Sequence, residues 1–403
     1  VARILYVNIP SEGHVNPTIG LVKELVDKGE EVVYLCTEGY RKRIQQTGAE
    51  FRAYQVNENL FEELGFTPTE SRHPLQFIDF ILRGIIEPHV PEIVRLVQNE
   101  TFDYFIYDSM FGWGGSILEE KLGIPAICSV THFAFTGPLE LEEPSVDYGD
   151  LDIEGLHKQT TSTLERIADT YQVAVPAIEE VFFHHGISKL VFTSRYFHPD
   201  ADKLDDSYIL TGPSLTPRYD APEFPFELLR SRYEQVAYIS MGTIVNNDVE
   251  FYKLCFEAFQ DIPVQFVLAC GKDTDLDPIG DCIPPNFIIE PYVPQLEILQ
   301  RADAFITHAG MNSASEALYY DVPLVTIPLT SDQPLVAKRV EELGAGIYLD
   351  KNSLTPEGLR SALLRVLQEE SYKKQAKQIG ASFREAGGYE EAANRLMSLF
   401  LKV

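Results

Sequence analysis

Short β-branched runs alternate with amphipathic stretches along the first part of the chain. RILYVNI (3–9) precedes PTIGLVKELVDKG (17–29), where Ile19, Val22, Leu25 and Val26 recur at helical spacing and Gly29 stops the helix. Asn16 and Pro17 read as its N-cap and first helical residue. EVVYLCT (31–37), a helix-like EGYRKRIQQTG (38–48) and EFRAYQV (50–56) follow, then DYFIYDS (103–109), GWGGSILEEKLG (112–123) and IPAICSV (124–130). Strand, helix and strand in this rhythm predict βαβ units and a parallel sheet. Residues 55–100 and 135–188 are less regular and richer in aromatics. They read as mostly helical insertions that shape a pocket.

Between 213 and 232 the text changes to PSLTPRYDAPEFPFELLRSR, whose prolines break both helix and strand. The rhythm then restarts with VAYISMGTI (236–244), VQFVLACG (264–271), NFIIEPYV (286–293), ADAFITHAG (302–310), PLVTIP (323–328) and GIYLD (346–350), before closing helices. The expectation is an α/β protein of two doubly wound, Rossmann-like parallel-sheet domains facing across a cleft. Residues 1–212 form the first domain, 213–232 the linker and 233–385 the second. A final helical segment, 386–403, is expected to pack back on the first.

Composition narrows the class. At 403 residues the chain exceeds what one core usually supports. Its 61 acidic against 33 basic residues give a formal charge of -28, a surface that repels nucleic acid and anionic lipid. An anionic ligand would therefore be held by local dipoles, not by a basic field. The 5 cysteines are scattered without a CxxC pair, as in a reduced cytoplasmic protein. No apolar run approaches the ~18 residues needed to span a membrane, and no signal peptide is expected.

Ligands of open parallel sheets bind beyond the carboxyl ends of the strands. His14, Asp108, Ser240-Met241-Gly242-Thr243 and His308 all stand there. The richest stretch is YVPQLEILQRADAFITHAGMNSASEALYYDVPLVTIPLTSDQ (292–333). Gly310 lets the backbone turn or approach a ligand closely. Asn312 and Ser313 open a helix whose N-terminal N–H groups suit a phosphate without lysine or metal. Glu316, one turn on and on the same face as Asn312, suits a pair of ribose hydroxyls.

This stretch resembles the nucleotide-sugar signature of family 1 glycosyltransferases, and is closest to the bacterial macrolide and flavonoid enzymes of GT-B fold. The plant form reads W-x-P-Q, H-x-G-x-N-S-x-x-E, then D-Q. From His308 onward the spacing agrees through Asn312, Ser313, Glu316, Asp332 and Gln333. Tyr292 stands in place of the leading tryptophan, and Met311 replaces the tryptophan after the glycine. GHVNP, SMGT and the terminal helices also fall in family order.

The resemblance implies that Tyr292 lies against the uracil, that the Val293 backbone hydrogen-bonds it, and that Gln295 contacts the ribose side. It assigns His308, Gly310, Asn312 and Ser313, with the loop Ser240, Gly242 and Thr243, to the diphosphate. Glu316 takes the ribose hydroxyls, and Asp332 and Gln333 those of the sugar. The implied donor is UDP-glucose or a related UDP-sugar, with no cofactor and no essential metal.

Glycosyl transfer also needs a base for the acceptor hydroxyl. Histidine titrates near working pH, and a carboxylate partner fixes its tautomer. His14 is that base candidate and Asp108 its partner, roles the resemblance also implies. Attack opposite the leaving group predicts inversion. The acceptor is expected to be a small apolar hydroxylated molecule such as a flavonoid, macrolide or terpenoid. Phe111, Trp113, His132 and Phe133 are candidate contacts, with His132 also a rival base. DTDLD (273–277) reads as an acidic loop and not a metal motif, and His184-His185 lacks convergent ligands. The alternatives are a UDP-sugar isomerase or epimerase on the same fold, or a non-catalytic UDP-sugar binder.

Overall fold

The computed structural model describes residues 1–55, 73–141, 148–218, 221–242, 246–330 and 332–400. The chain divides into two units: residues 1–193, 200–214 and 387–403 form the first, and 194–199 with 215–386 the second.

The first unit carries β1 (Arg3–Val7), α1 (Glu12–Asp27), β2 (Glu31–Cys36), α2 (Arg41–Gln45) and β3 (Glu50–Ala53). Next come α3 (Pro74–Ile81), a π-helical stretch Leu82–Ile86 and α4 (Glu87–Val97). β4 (Tyr104–Asp108), α5 (Trp113–Leu122), β5 (Ala126–Val130), α6 (Ile153–Tyr171), β6 (Ser188–Val191) and β7 (Tyr208–Leu210) complete the run. All pairings in its 7-stranded sheet are parallel, in the order β3-β2-β1-β4-β5-β6-β7. The order reverses direction between β1 and β4, and a loop crevice opens at such a reversal.

The second unit repeats the plan with β8 (Gln235–Ser240), α7 (Val249–Phe259), β9 (Val264–Ala269), β10 (Phe287–Glu290), α8 (Gln295–Leu299) and β11 (Ala304–Thr307). After these come α9 (Met311–Tyr319), β12 (Leu324–Thr326), α10 (Gln333–Glu342), β13 (Gly346–Tyr348), α11 (Pro356–Gln368) and α12 (Glu370–Glu385). Its 6-stranded sheet is also parallel, ordered β10-β9-β8-β11-β12-β13, with the reversal between β8 and β11. Central strands of both sheets are continuous apolar runs because helices cover both faces.

The last helix, α13 (Gly388–Phe400), belongs to the first unit. Ala392, Ala393 and Leu396 are buried in one core with Ile4, Leu21, Val22 and Leu25. The Phe400 ring stacks on Tyr104 with centroids 3.9 Å apart, and Gly388 N–H donates to the Thr211 carbonyl at 2.7 Å. Conversely, Ser194–Pro199 groups with the second unit. There Phe197 meets Phe383 edge-on at 5.4 Å, and Arg339 donates to the carbonyls of Tyr196 and Phe197 at 3.0 Å.

Several elements differ from the sequence reading. Helix α1 begins at Glu12, so Asn16 and Pro17 lie inside it, not at its start. Ser11 is the N-cap residue, its carbonyl accepting from His14 N–H at 3.0 Å and Val15 N–H at 2.9 Å. Glu12 suits the positive helix end and pairs with Arg43, which also donates to Asn16 Oδ1 at 2.8 Å. Asn16 is thus drawn to an arginine and not to the backbone. The stretch 38–48 is only a 3₁₀ turn and the short α2. Strands β6 and β7 fall where no strand was expected. From 215 onward the proline-rich stretch belongs to the second unit, with one 3₁₀ turn at Phe226–Leu228.

Candidate active site

His14 stands on the first turn of α1, beyond the carboxyl end of β1. Asp108 closes the neighbouring β4 and is fully buried. The β1–β4 pairing brings them together although they lie 94 residues apart: His14 Nδ1 is 2.8 Å from Asp108 Oδ2. An ionised carboxylate only accepts, so Nδ1 carries the proton and Nε2 keeps the lone pair. The Nδ1–H is shared with Thr131 Oγ1 at 3.1 Å, while Asp108 Oδ1 accepts from Met110 N–H at 2.8 Å. Asp108 is therefore oriented by backbone as well as by imidazole.

A polar scaffold lies beneath the pair. Asn8, just past β1, donates through Nδ2 to the His14 carbonyl at 3.0 Å and to Tyr34 Oη at 2.7 Å. The Tyr34 ring stacks on Tyr6 at 4.8 Å, and Tyr6 O–H donates to Ser129 Oγ at 3.0 Å. These buried groups, with Thr131, hold the first turn of α1 in place. The sequence reading missed them because nothing in a strand-end asparagine or a core tyrosine marks it as polar support.

His132, the rival base, is held at both ring nitrogens. Its Nδ1–H donates to the Phe133 carbonyl at 2.7 Å, and its Nε2 accepts from Ser109 Oγ at 3.2 Å. Its lone-pair nitrogen is engaged by protein. Phe111 and Trp113 are packed into the main core of the first unit, and Phe133 is also buried. Buried in this way, these aromatics contribute to the core of the first unit. His184, beside His185, accepts from Phe135 N–H at 3.1 Å and contacts Cys128 Sγ at 3.8 Å.

In the second unit the reversal between β8 and β11 brings Ser240, at the end of β8, beside His308, just past β11. The His308 ring hydrogen-bonds the Ser240 backbone, and burial lowers its pKa to about 4, so it is a neutral imidazole. Two glycines press against it. A Cβ at Gly242, where φ is +88°, would stand 2.7 Å from the ring, and one at Gly310 would stand 2.6 Å from Nε2. Thr243 lies outside the described residues.

Gly310 is the N-cap of α9, placing Met311, Asn312 and Ser313 on its first turn. Gly310, having no side chain, makes no side-chain cap bond, and the leading N–H groups of such a helix start are those not used within the helix. Asn312 and Ser313 stand inside the helix, past the N-cap position. Asp332 is the N-cap residue of α10 without a side-chain cap bond, and Gln333 Oε1 accepts from the N–H groups of Leu329 at 2.8 Å and Thr330 at 3.1 Å.

Glu316 is only 4% exposed. Gln295 Nε2 donates to its Oε2 at 2.6 Å, and Arg218 Nη2 to its Oε1 at 2.5 Å. Gln295 Oε1 in turn accepts from Tyr238 O–H at 3.0 Å. Tyr292, by contrast, is 48% exposed, with Val293 buried beside it. Arg218 escaped the sequence reading because prolines surround it. Among the described residues, no three His, Cys, Asp or Glu side chains converge as metal ligands, and no helix is long and apolar enough to cross a membrane.

The chain thus carries two parallel-sheet Rossmann-like units, with a histidine–carboxylate pair in one and a glycine-led helix start in the other. A family model described as UDP-glucoronosyl and UDP-glucosyl transferase matches residues 223–384. The uncharacterized UDP-glucosyltransferase YojK of Bacillus subtilis is 36% identical over 400 residues, 98% of this chain and 97% of that protein. NDP-glycosyltransferase YjiC of the same organism is 34% identical over 404 residues, 99% of this chain and 98% of that one. The crystal structure of CalG4, the calicheamicin glycosyltransferase, aligns with a TM-score of 0.83 at 25% identity, covering 100% of this chain and 99% of that one. The chain belongs to the UDP-glucoronosyl and UDP-glucosyl transferase family, and it is an enzyme of that class.

Proposed function

We propose that the enzyme moves a hexose, glucose first among candidates, from a UDP-sugar to a hydroxyl of a small apolar natural product, inverting the anomeric centre. The 2.8 Å His14–Asp108 contact carries this reading. Nε2 of His14 takes the acceptor proton, and the imidazolium is stabilised by the buried Asp108 carboxylate. The acceptor oxygen forms its bond to the anomeric carbon as the bond to the β-phosphate oxygen breaks. The electron pair leaves with UDP.

The leaving diphosphate is stabilised by the first-turn N–H groups of α9 with Asn312 and Ser313, by neutral His308, and by the Ser240–Gly242 turn. The uracil rests on the exposed face of Tyr292 and against the Val293 backbone. Glu316 receives the ribose diol, with Gln295 acting behind it. Asp332 and the Gln333 amide N–H groups face the sugar hydroxyls. Similarity to the Bacillus UDP-glucosyltransferase and NDP-glycosyltransferase supports a nucleotide-sugar donor, and that to the calicheamicin glycosyltransferase a natural-product acceptor.

The test is turnover of a panel of UDP-sugars against phenolic and macrolide acceptors, for wild type and His14→Ala, with UDP binding measured in parallel. Lost turnover with retained UDP binding is expected. Unchanged turnover, an α-linked product from an α-linked donor, or UDP-sugar conversion without acceptor would each overturn the mechanism.

A further inference from the structure

Arg218 has no place in the scheme above, yet it makes the shortest contact to the donor-site carboxylate. Glu316 is nearly inaccessible, and an ionised carboxylate so placed needs a partner charge. Arg218 Nη2, 2.5 Å from Oε1, is that charge. The arginine is anchored locally, its carbonyl accepting from Ala221 N–H at 3.1 Å. On the other side Gln295 faces Glu316 with Nε2, since a carboxylate only accepts, and its Oε1 accepts from Tyr238 O–H.

A carboxylate offers about four lone-pair directions. Arg218 takes one on Oε1 and Gln295 one on Oε2, which leaves each oxygen able to accept once more. Two acceptors on one rigid carboxylate match a pair of hydroxyls on adjacent carbons. A carboxylate without the arginine would lose both its countercharge and its orientation.

We propose that Arg218 is a positioning residue for the donor nucleotide, holding the Glu316 carboxylate aimed so that the site reads the 2′,3′-diol of ribose. This rests on the assignment of Glu316 to the ribose. It makes the proline-rich stretch before β8 part of the donor site.

The experiment compares dissociation constants of UDP and 2′,3′-dideoxyuridine diphosphate for the full-length wild type, Arg218→Met, Arg218→Lys and Glu316→Gln. Two hydrogen bonds to a charged acceptor predict a wild-type preference for UDP on the order of 100-fold. Glu316→Gln and Arg218→Met should both reduce that preference to within a few-fold, with the dideoxy nucleotide bound about as tightly as by wild type. Arg218→Lys, which keeps the charge and is the variant most apt to fold, should restore part of it. An Arg218→Met enzyme that weakens both nucleotides equally would show a direct phosphate or base contact and overturn the proposal. So would an Arg218→Lys enzyme with no preference beside an Arg218→Met enzyme that retains it. If Glu316→Gln keeps the full preference, the ribose assignment itself falls, and this inference with it.

Discussion

Gly310 and His308 are so close that the smallest side chain at 310 would stand 2.6 Å from the imidazole Nε2. The Gly310 backbone, at φ -58°, is one that any residue adopts, so the requirement is space and not conformation. Gly310→Ala should therefore displace the ring, raise the UDP dissociation constant roughly tenfold, and lower stability by about 1–3 kcal/mol through overpacking. Calorimetric UDP binding and urea unfolding check this, and wild-type values in both would contradict the geometry.

Asp108→Asn tests the tautomer. Asparagine can still accept from Met110 N–H through its carbonyl, so the fold should hold. Its amide would then donate toward His14 Nδ1, moving the imidazole proton to Nε2 and removing the base. Turnover should fall by ~10²–10⁴-fold while the Michaelis constant for donor changes little. A variant retaining more than a tenth of wild-type turnover would exclude the pair as the catalytic device.

The buried His308 links stability to pH. Its folded pKa of about 4 lies below the ~6.5 of an unfolded-chain imidazole. Below 6.5 the unfolded chain takes a proton that the folded one refuses. The stability owed to neutral His308 is complete above that value and is lost as pH falls toward 4. Between pH 7 and 5 the loss should be roughly 2 kcal/mol. Urea titrations of wild type and His308→Asn at both pH values isolate this contribution, and parallel declines in the two proteins would refute it.

Leu396 of α13 is fully buried among residues of β1, α1 and β2. Leu396→Ala should cost about 2–5 kcal/mol. Hydrogen exchange should locate the loss in the sheet of the first unit, not in the second unit that immediately precedes α13 in the chain. Loss confined to the second unit would contradict the packing.

The strands were legible wherever helices cover both faces, because burial on two sides leaves continuous apolar runs such as Tyr104–Asp108. β6 and β7 were not: they are only 4 and 3 residues long and lie at the end of the sheet, where neighbours enforce less pattern. At the start of α1, Asn-Pro is a strong local start signal. Tertiary context overrode it through Arg43, which claims the asparagine side chain. The residues 308–316 were readable as a phosphate-binding strand–turn–helix because glycine and helix-start chemistry are local. The burial of Glu316 was not, since it depends on an arginine 98 positions earlier whose surroundings read as mere spacer.

The return of α13 to the first sheet bears on how the chain is made. Synthesis runs from the N-terminal side, and domains ordinarily fold as they emerge. Here the first unit lacks one of its core helices until residues 388–400 are released, after the whole of 215–386. At ~5–20 residues per second that interval is on the order of ten seconds or longer. Through it the apolar faces of Val22 and Leu25 await their partner, so the nascent first unit is a natural client for a chaperone while the second is still being built.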